Sequence, residues 1–93
     1  MMNIIWANEA KAQYFKVLGY LYEEWGERVA EEFQERIIKA EAQIVTGLIK
    51  FPTSNRLGFE KCKVDRYNTI IFQRKEAHIE VFALIDNRSD HSY

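Results

Sequence analysis

The spacing of hydrophobic positions divides the chain into a helical first half and a β-rich second half. The short apolar run from Asn3 to Trp6 predicts a first strand. The segment after it predicts a helix at about residues 8–25, with Asn8 as its N-cap and Glu9 in its first turn. The apolar positions of this helix recur at intervals of three and four residues: Ala10, Tyr14, Val17, Leu18, Leu21 and Trp25.

A second amphipathic helix is predicted at about residues 27–46. Gly26 separates the two helices, and Gly47 is placed to end the second one. Because Gly26 leaves no room for a linker, the helices are expected to be antiparallel neighbours in an αα-hairpin. The apolar stripe of the second helix comprises Val29, Phe33, Ile37, Ala40 and Ile44.

The period of the pattern changes to two after a predicted loop at residues 51–56, where Pro52 cannot continue a helix. Residues 61–72 predict two strands, and residues 78–88 predict a third. The order β-αα-βββ predicts an α+β fold with an N-terminal helical hairpin on one face of a small antiparallel sheet.

The alternation in the last strand predicts which face of the sheet each side chain occupies. One set of alternate residues is fully apolar and is expected to face the helices, whereas the other set is mixed and partly open. Continuing the alternation places Arg88 on the mixed face. The apolar set is Ile79, Val81, Ala83 and Ile85, and the mixed set is His78, Glu80, Phe82, Leu84 and Asp86.

Composition narrows the class of protein further. With 47% hydrophobic and 14% aromatic residues, the 93 residues are expected to form one domain over residues 1–93. The single cysteine, Cys62, excludes an intramolecular disulfide and fits a reducing compartment. No apolar run approaches the roughly 18 residues of a membrane span, so a cytoplasmic protein is expected. Two distant histidines and one cysteine do not make a metal site, and no cofactor motif is present.

Charge is distributed unevenly along this nearly neutral chain, whose net charge is −1. Residues 1–50 carry six basic and eight acidic side chains, whereas residues 56–75 carry six basic and two acidic ones. A basic stripe of this kind would bind a polyanion weakly and in a salt-sensitive way. The alternative is a solvated sheet edge on which lysines discourage aggregation.

Several short pieces of the sequence have an order and spacing that, taken together, are distinctive. These pieces are Ile5-Trp6 with Ala10; Tyr20-Leu-Tyr-Glu-Glu-Trp-Gly26 with Ala30 and Phe33; Pro52; Lys61-Cys-Lys-Val64; Asn68-Thr69; and Ile85-Asp-Asn-Arg88. In this order and spacing the chain resembles the RelE/ParE superfamily of toxins from type II toxin–antitoxin, or plasmid stabilisation, modules, and the resemblance covers nearly the whole chain.

The resemblance implies a growth-inhibiting toxin that is held inactive by a cognate antitoxin. The assemblies it implies are a homodimer of the toxin or a hetero-oligomer of toxin and antitoxin. RelE-like members are metal-independent endoribonucleases that cleave mRNA on the ribosome. ParE-like members poison DNA gyrase without being enzymes. A degenerate, non-toxic interaction protein is a third alternative.

The resemblance also nominates site residues for the ribonuclease alternative. Such chemistry needs a base, a proton donor and cations around the phosphorane. Arg88 matches the basic residue at the end of the family's last strand, although a surface pair with Asp86 or Asp90 is the structural alternative. His91 or Tyr93 would be the general acid or base. Further cationic groups would come from Lys61 and Lys63, which share a face of the neighbouring strand in the alternation, whereas Arg66 falls on the other face unless a turn intervenes. Arg56, which would swing in from its loop, is expected to contact nucleic acid together with Arg66 and Arg74.

The low sequence pI, about 6.1, shifts weight toward a ParE-like or unassigned target. A ribosome-directed toxin benefits from long-range attraction to a polyanionic surface, and this chain has little net charge to provide it. The helices also carry more apolar surface than a small sheet can bury. Tyr20 and Tyr22 are therefore expected at an exposed groove or self-association site.

Overall fold

The computed structural model describes residues 3–56, 58–88 and 93 of the chain. Two helices and four strands follow one another in the predicted order. Neither helix in this described part is long and apolar enough to cross a membrane. The elements are β1 (Asn3–Trp6), α1 (Asn8–Trp25), α2 (Glu27–Thr46), β2 (Glu60–Lys63), β3 (Asn68–Arg74) and β4 (His78–Asp86).

The four strands form one sheet in the order β1-β4-β3-β2. β2, β3 and β4 pair antiparallel, as predicted. β1 instead pairs parallel with β4, so the sheet is mixed, and the expectation of an antiparallel sheet was wrong for this pair. Parallel neighbours need a long crossover connection, and α1 and α2 begin that crossover on one face of the sheet.

The helical hairpin has the predicted limits, but its first cap differs. Ala7 is the N-cap residue of α1 and makes no side-chain capping hydrogen bond, so the prediction of Asn8 as N-cap was wrong. The Ala7 N–H donates to the carbonyl of Val81 at 2.9 Å, which means that the backbone of β1 is still bound to β4 where the helix begins. Gly26 has φ 96° and alone connects α1 to α2. Gly47 ends α2 in the left-handed region, as predicted.

The main core lies between the hairpin and one side of the sheet, here called the helix-bearing face. Phe33, Ile37 and Ile44 of α2 are buried in it, while Val29 is only half-buried. Tyr14 of α1 stacks on Phe33 with 5.9 Å between ring centroids. A fully buried side chain of this size contributes about 1.5–3 kcal/mol through removal of its apolar surface from water.

A β-bulge at Phe82 changes the face that the end of β4 presents. Ile71 pairs with Ala83 and Phe72 with Val81, so Phe82 has no partner in the register. Beyond the bulge, Leu84 belongs to the helix-side core. The prediction that Ala83 and Ile85 face the helices was therefore wrong. These residues join Ile71 in a second cluster on the opposite side, the open face, with Phe59, Phe82 and Tyr93.

Candidate functional site on the open face of the sheet

The open face carries two cationic rows that the sheet register defines. Lys61 pairs with Ile71, which in turn pairs with Ala83. Lys63 stands in the next row, paired with Thr69. Directly opposed residues in antiparallel strands share a face, so both lysines project from the side that the helices leave uncovered. This agrees with the prediction that Lys61 and Lys63 share a face of the strand.

Lys61 is held in place by the last residue of the sequence. Its Nζ donates a hydrogen bond to the Tyr93 carbonyl at 3.2 Å. The Lys61 side chain is half-buried, whereas Lys63 is exposed. Lys63 is therefore the more accessible of the two charges for a ligand. A ligand that binds Lys61 has to approach it beside Tyr93.

Aromatic rings and one arginine complete this part of the face. The Arg56 guanidinium lies 4.7 Å from the centroid of the Tyr93 ring and 5.9 Å from that of Phe82. The Phe82 ring also packs on Phe59, with a centroid distance of 4.9 Å. Arg56, predicted to swing in from its loop, thus does reach the open face. Its guanidinium makes cation–π contacts with these rings, whose faces attract cations.

The bend between β2 and β3 brings Arg66 to the edge of the face. The Asp65 carboxylate accepts hydrogen bonds from the backbone N–H groups of Tyr67 and Asn68, each at 2.8 Å. The Asn87 amide donates to the carbonyl of Arg66 at 3.2 Å and ties this bend to the end of β4. Asx-type bonds of this kind fix a turn without regular secondary structure.

Arg88 does not lie with the lysines. The bulge puts Leu84, and by alternation Asp86, on the helix-bearing side, so the predicted position of Arg88 on the mixed face was wrong. The Arg88 guanidinium donates to Asp86 through Nε at 3.0 Å and Nη2 at 2.8 Å. It also lies 4.5 Å from the centroid of the Tyr67 ring.

The ion pair between Arg88 and Asp86 shifts both pKa values so that the charged form of each group is favoured. Hydrogen bonds from the Arg88 side chain and backbone lower the pKa of Asp86 from 3.8 to about 2. The same side-chain bond, followed by the charge of Asp86, raises the pKa of Arg88. The surface-pair alternative considered for Arg88 is thus the arrangement that the structure describes.

Arg74 has a structural environment rather than a place in the site. It pairs with Ile79 in the sheet and bonds to Glu60, with 3.1 Å between Nε and Oε2. Its Nη1 donates to the Ile44 carbonyl at 3.1 Å, in the last turn of α2. This carbonyl has no partner within the helix, and a cation there also suits the helix dipole. The structure does not place Arg74 beside the lysines.

The remaining two predicted residues are Tyr93 and His91. Tyr93 lies on the open face, where its backbone and its ring contact Lys61 and Arg56. His91 lies outside the described residues. Of the predicted set, the structure thus brings together Arg56, Lys61, Lys63 and Tyr93, with Arg66 at the edge.

One basic residue of this region was missed by the sequence analysis. Lys50 follows α2 and lines a groove of about 690 Å³ together with Lys61, Lys63 and Arg66. None of the described residues that line this groove is acidic. Lys50 belongs to the half of the sequence with an acidic excess, and only its position before Pro52, in the loop that leads to the sheet, could have indicated its place here.

Solved structures with the same architecture are found although the sequence has diverged widely. The chain matches a structure of the chromosomal ParDE TA system from P. aeruginosa with a TM-score of 0.76 and 16% identity, covering 92% of this chain and 96% of that one. It matches a YoeB dimer from Staphylococcus aureus with a TM-score of 0.64 and 14% identity, over 90% and 94% of the two chains. A YoeB-YefM complex from the same organism gives 0.63 and 14%, over 91% and 95%.

No protein-family model and no curated protein sequence matches the chain. At these low identities the structural matches establish the fold. The chain has the α+β fold of the matched ParDE and YoeB structures, as its resemblance to the RelE/ParE superfamily predicted.

Proposed function

We propose that the protein is the toxin of a type II toxin–antitoxin module, acts in the cytoplasm and is neutralised by a cognate antitoxin. One observation carries the proposal: the chain and the ParDE structure cover 92% and 96% of each other at a TM-score of 0.76. A match of this extent leaves little of either chain outside the shared architecture. Fold alone does not imply function, so the activity has to be argued from the site.

The site favours a toxin that acts by binding gyrase or another macromolecule. The cleavage alternative needs an arginine that can bind a phosphate. The Arg88 guanidinium instead donates to the Asp86 carboxylate through Nε and Nη2. The groove formed by Lys50, Lys61, Lys63 and Arg66 attracts anionic surfaces without supplying a carboxylate base. A toxin that acts by binding needs a surface for its target but no proton transfer.

Cleavage of ribosome-bound mRNA is the second candidate, and the open face is the observation that favours it. Lys61 and Lys63 stand in adjacent rows there, and Tyr93 lies against Lys61. A tyrosine hydroxyl can serve as a general acid, and lysines can stabilise phosphorane charge. In this alternative, Tyr93 would have to release Lys61 when RNA binds.

The partner of the proposed toxin is a small antitoxin. The YoeB of Staphylococcus aureus occurs in a complex with YefM and as a dimer. By analogy we expect this chain to form a hetero-oligomer with its antitoxin, and a homodimer in the absence of one. A short antitoxin-type reading frame beside the gene would identify the partner.

Induced expression with separate readouts for RNA and DNA distinguishes the two modes of action. Binding predicts growth arrest with DNA damage and intact mRNA, reduced in the Lys61→Met/Lys63→Met variant and retained in Arg88→Ala. Lys16→Met, on the exposed side of α1, is the control. Rapid mRNA loss that Arg88→Ala relieves would instead support the ribonuclease. Absence of arrest at full protein accumulation would support a degenerate, non-toxic protein.

A further inference from the structure

The two edges of the sheet are protected very differently. β2 contains Lys61 and Lys63, and Thr53 forms a bridge with Glu60 outside the strands. β1 pairs with β4 on one side only, and its four residues include neither a charge nor a proline. Charges, prolines and covering segments are the usual means of blocking an edge. β1 therefore presents an edge that is open to pairing.

Exposed apolar side chains lie beside this open edge. Ile5 is 49% exposed, Phe15 62% and Ile38 63%. All three line one groove of about 450 Å³, whose wall includes Trp6. The Trp6 Nε1 donates to Glu41 at 2.8 Å, which fixes this side of the groove to α2. A group of large apolar residues concentrated beside an unpaired strand edge marks an interaction surface.

The groove also carries one charge of each sign, Lys11 and Glu41. A two-fold interface uses the same patch on both subunits, so it needs a patch that is complementary to itself. An apolar centre with one cation and one anion meets that requirement, and the net charge of −1 does not oppose self-association. A short uncharged strand is itself a suitable partner for an equally uncharged edge.

We propose that a second copy of this chain occupies the groove, with the two β1 strands paired antiparallel about a two-fold axis. The pairing joins the two sheets into one and buries Ile5, Phe15 and Ile38 of both copies. Lys11 of each copy then faces Glu41 of the other. The exposed tyrosines that prompted the expectation of self-association, Tyr20 and Tyr22, are outside this groove.

The test is the mass of the full chain in solution, measured by sedimentation equilibrium over a wide range of concentration. Wild type should be a dimer, and Ile5→Lys and Ile38→Glu should each weaken association at least about tenfold. Leu48→Glu is the matched control, because Leu48 is 88% exposed and outside the groove. Circular dichroism checks folding, and Ile38, on the outside of a helix, provides a second variant should Ile5→Lys not fold.

A charge exchange tests the two-fold arrangement itself. Lys11→Glu and Glu41→Lys should each weaken the dimer, and an equimolar mixture of the two variants should restore it. A monomeric wild type, a dimer that neither groove variant affects, or a mixture without restored association would overturn the proposal. The same holds if wild type is monomeric and the groove variants abolish binding of the antitoxin. None of these readouts depends on toxicity, so the interface can fail independently of the proposed function.

Discussion

Arg88 and Asp86 are joined by three hydrogen bonds at the end of β4. The guanidinium donates twice, at 3.0 and 2.8 Å, and the Arg88 backbone N–H donates to Oδ1 at 2.9 Å. The arginine that the sequence resemblance nominated for catalysis therefore has its own counter-ion two residues away. Any anionic ligand of Arg88 would have to compete with the Asp86 carboxylate, which the chain itself holds two residues away.

The first prediction is that the Asp86 carboxyl titrates at about pH 2, well below its ordinary value of 3.8. Because the pKa is lowered in the folded state, the pair stabilises the protein above pH 3.8, and this contribution disappears as the pH falls toward 2. Arg88→Ala should return the pKa of Asp86 toward 3.8, whereas Arg66→Ala should not. Side-chain carboxyl shifts in an NMR titration measure this directly, and a wild-type value near 3.8 would contradict the pairing.

The second prediction concerns two glycines, Gly19 inside α1 and Gly26 at its C-terminal end. Gly26→Ala should lower the free energy of unfolding by about 1–3 kcal/mol, because a φ of 96° is strained for any residue with a Cβ. Gly19→Ala should raise it by about 0.5–1 kcal/mol, since Gly19 lies inside the helix. A Cβ meets nothing within 4 Å at either position, so backbone conformation alone separates them. Equal effects in urea denaturation would be inconsistent with the turn.

The third prediction concerns a backbone N–H of β4 that lies beyond the end of β1 and is bonded by a side chain of α1. The Leu84 N–H donates to the Gln13 side chain of α1 at 2.8 Å, and Leu84 is buried. Gln13→Ala should cost about 1–3 kcal/mol, because the N–H is left without a partner. Gln34→Ala, on the exposed side of α2, should change stability by less than about 0.5 kcal/mol. Equal effects of the two substitutions on denaturation midpoints would contradict this role of Gln13.

The fourth prediction is that the Cys62 thiol is inert in the folded protein. Cys62 is 1% exposed, and burial raises its pKa above 9.0. Little reactive thiolate is present near neutral pH, and reagents cannot reach it. A thiol reagent should label the protein only as fast as it unfolds, with the denatured chain as the control. Rapid labelling under native conditions would contradict the packing of β2 against the core.

The elements themselves were predictable because their signals are local. The three- and four-residue spacing from Ala10 to Trp25 and the glycines at 26 and 47 placed both helices within their observed limits. The direction of β1 relative to β4 was not predictable from a strand of four residues. Its pattern is compatible with either orientation, and only the crossover through the hairpin decides between them.

The site was less predictable because it depends on a single irregularity. Strict alternation through β4 put Ala83 and Ile85 with the helices and Arg88 opposite, and the bulge at Phe82 reverses the facing of Ala83, Leu84 and Ile85. A bulge adds one residue without any signature in the alternation of apolar residues here. The register of β2 with β3 has no such irregularity, which is why the shared face of Lys61 and Lys63 was predicted correctly.

The most direct test of the central claim is the count of viable cells after induction of this chain, with and without the small product of a neighbouring reading frame. A toxin of the proposed kind predicts a loss of viability on induction alone and survival when both products are made. Immunoblotting for the full-length chain confirms that it accumulates in both cases. Unchanged viability at full accumulation, or a loss that the second product does not relieve, would contradict an antitoxin-neutralised toxin.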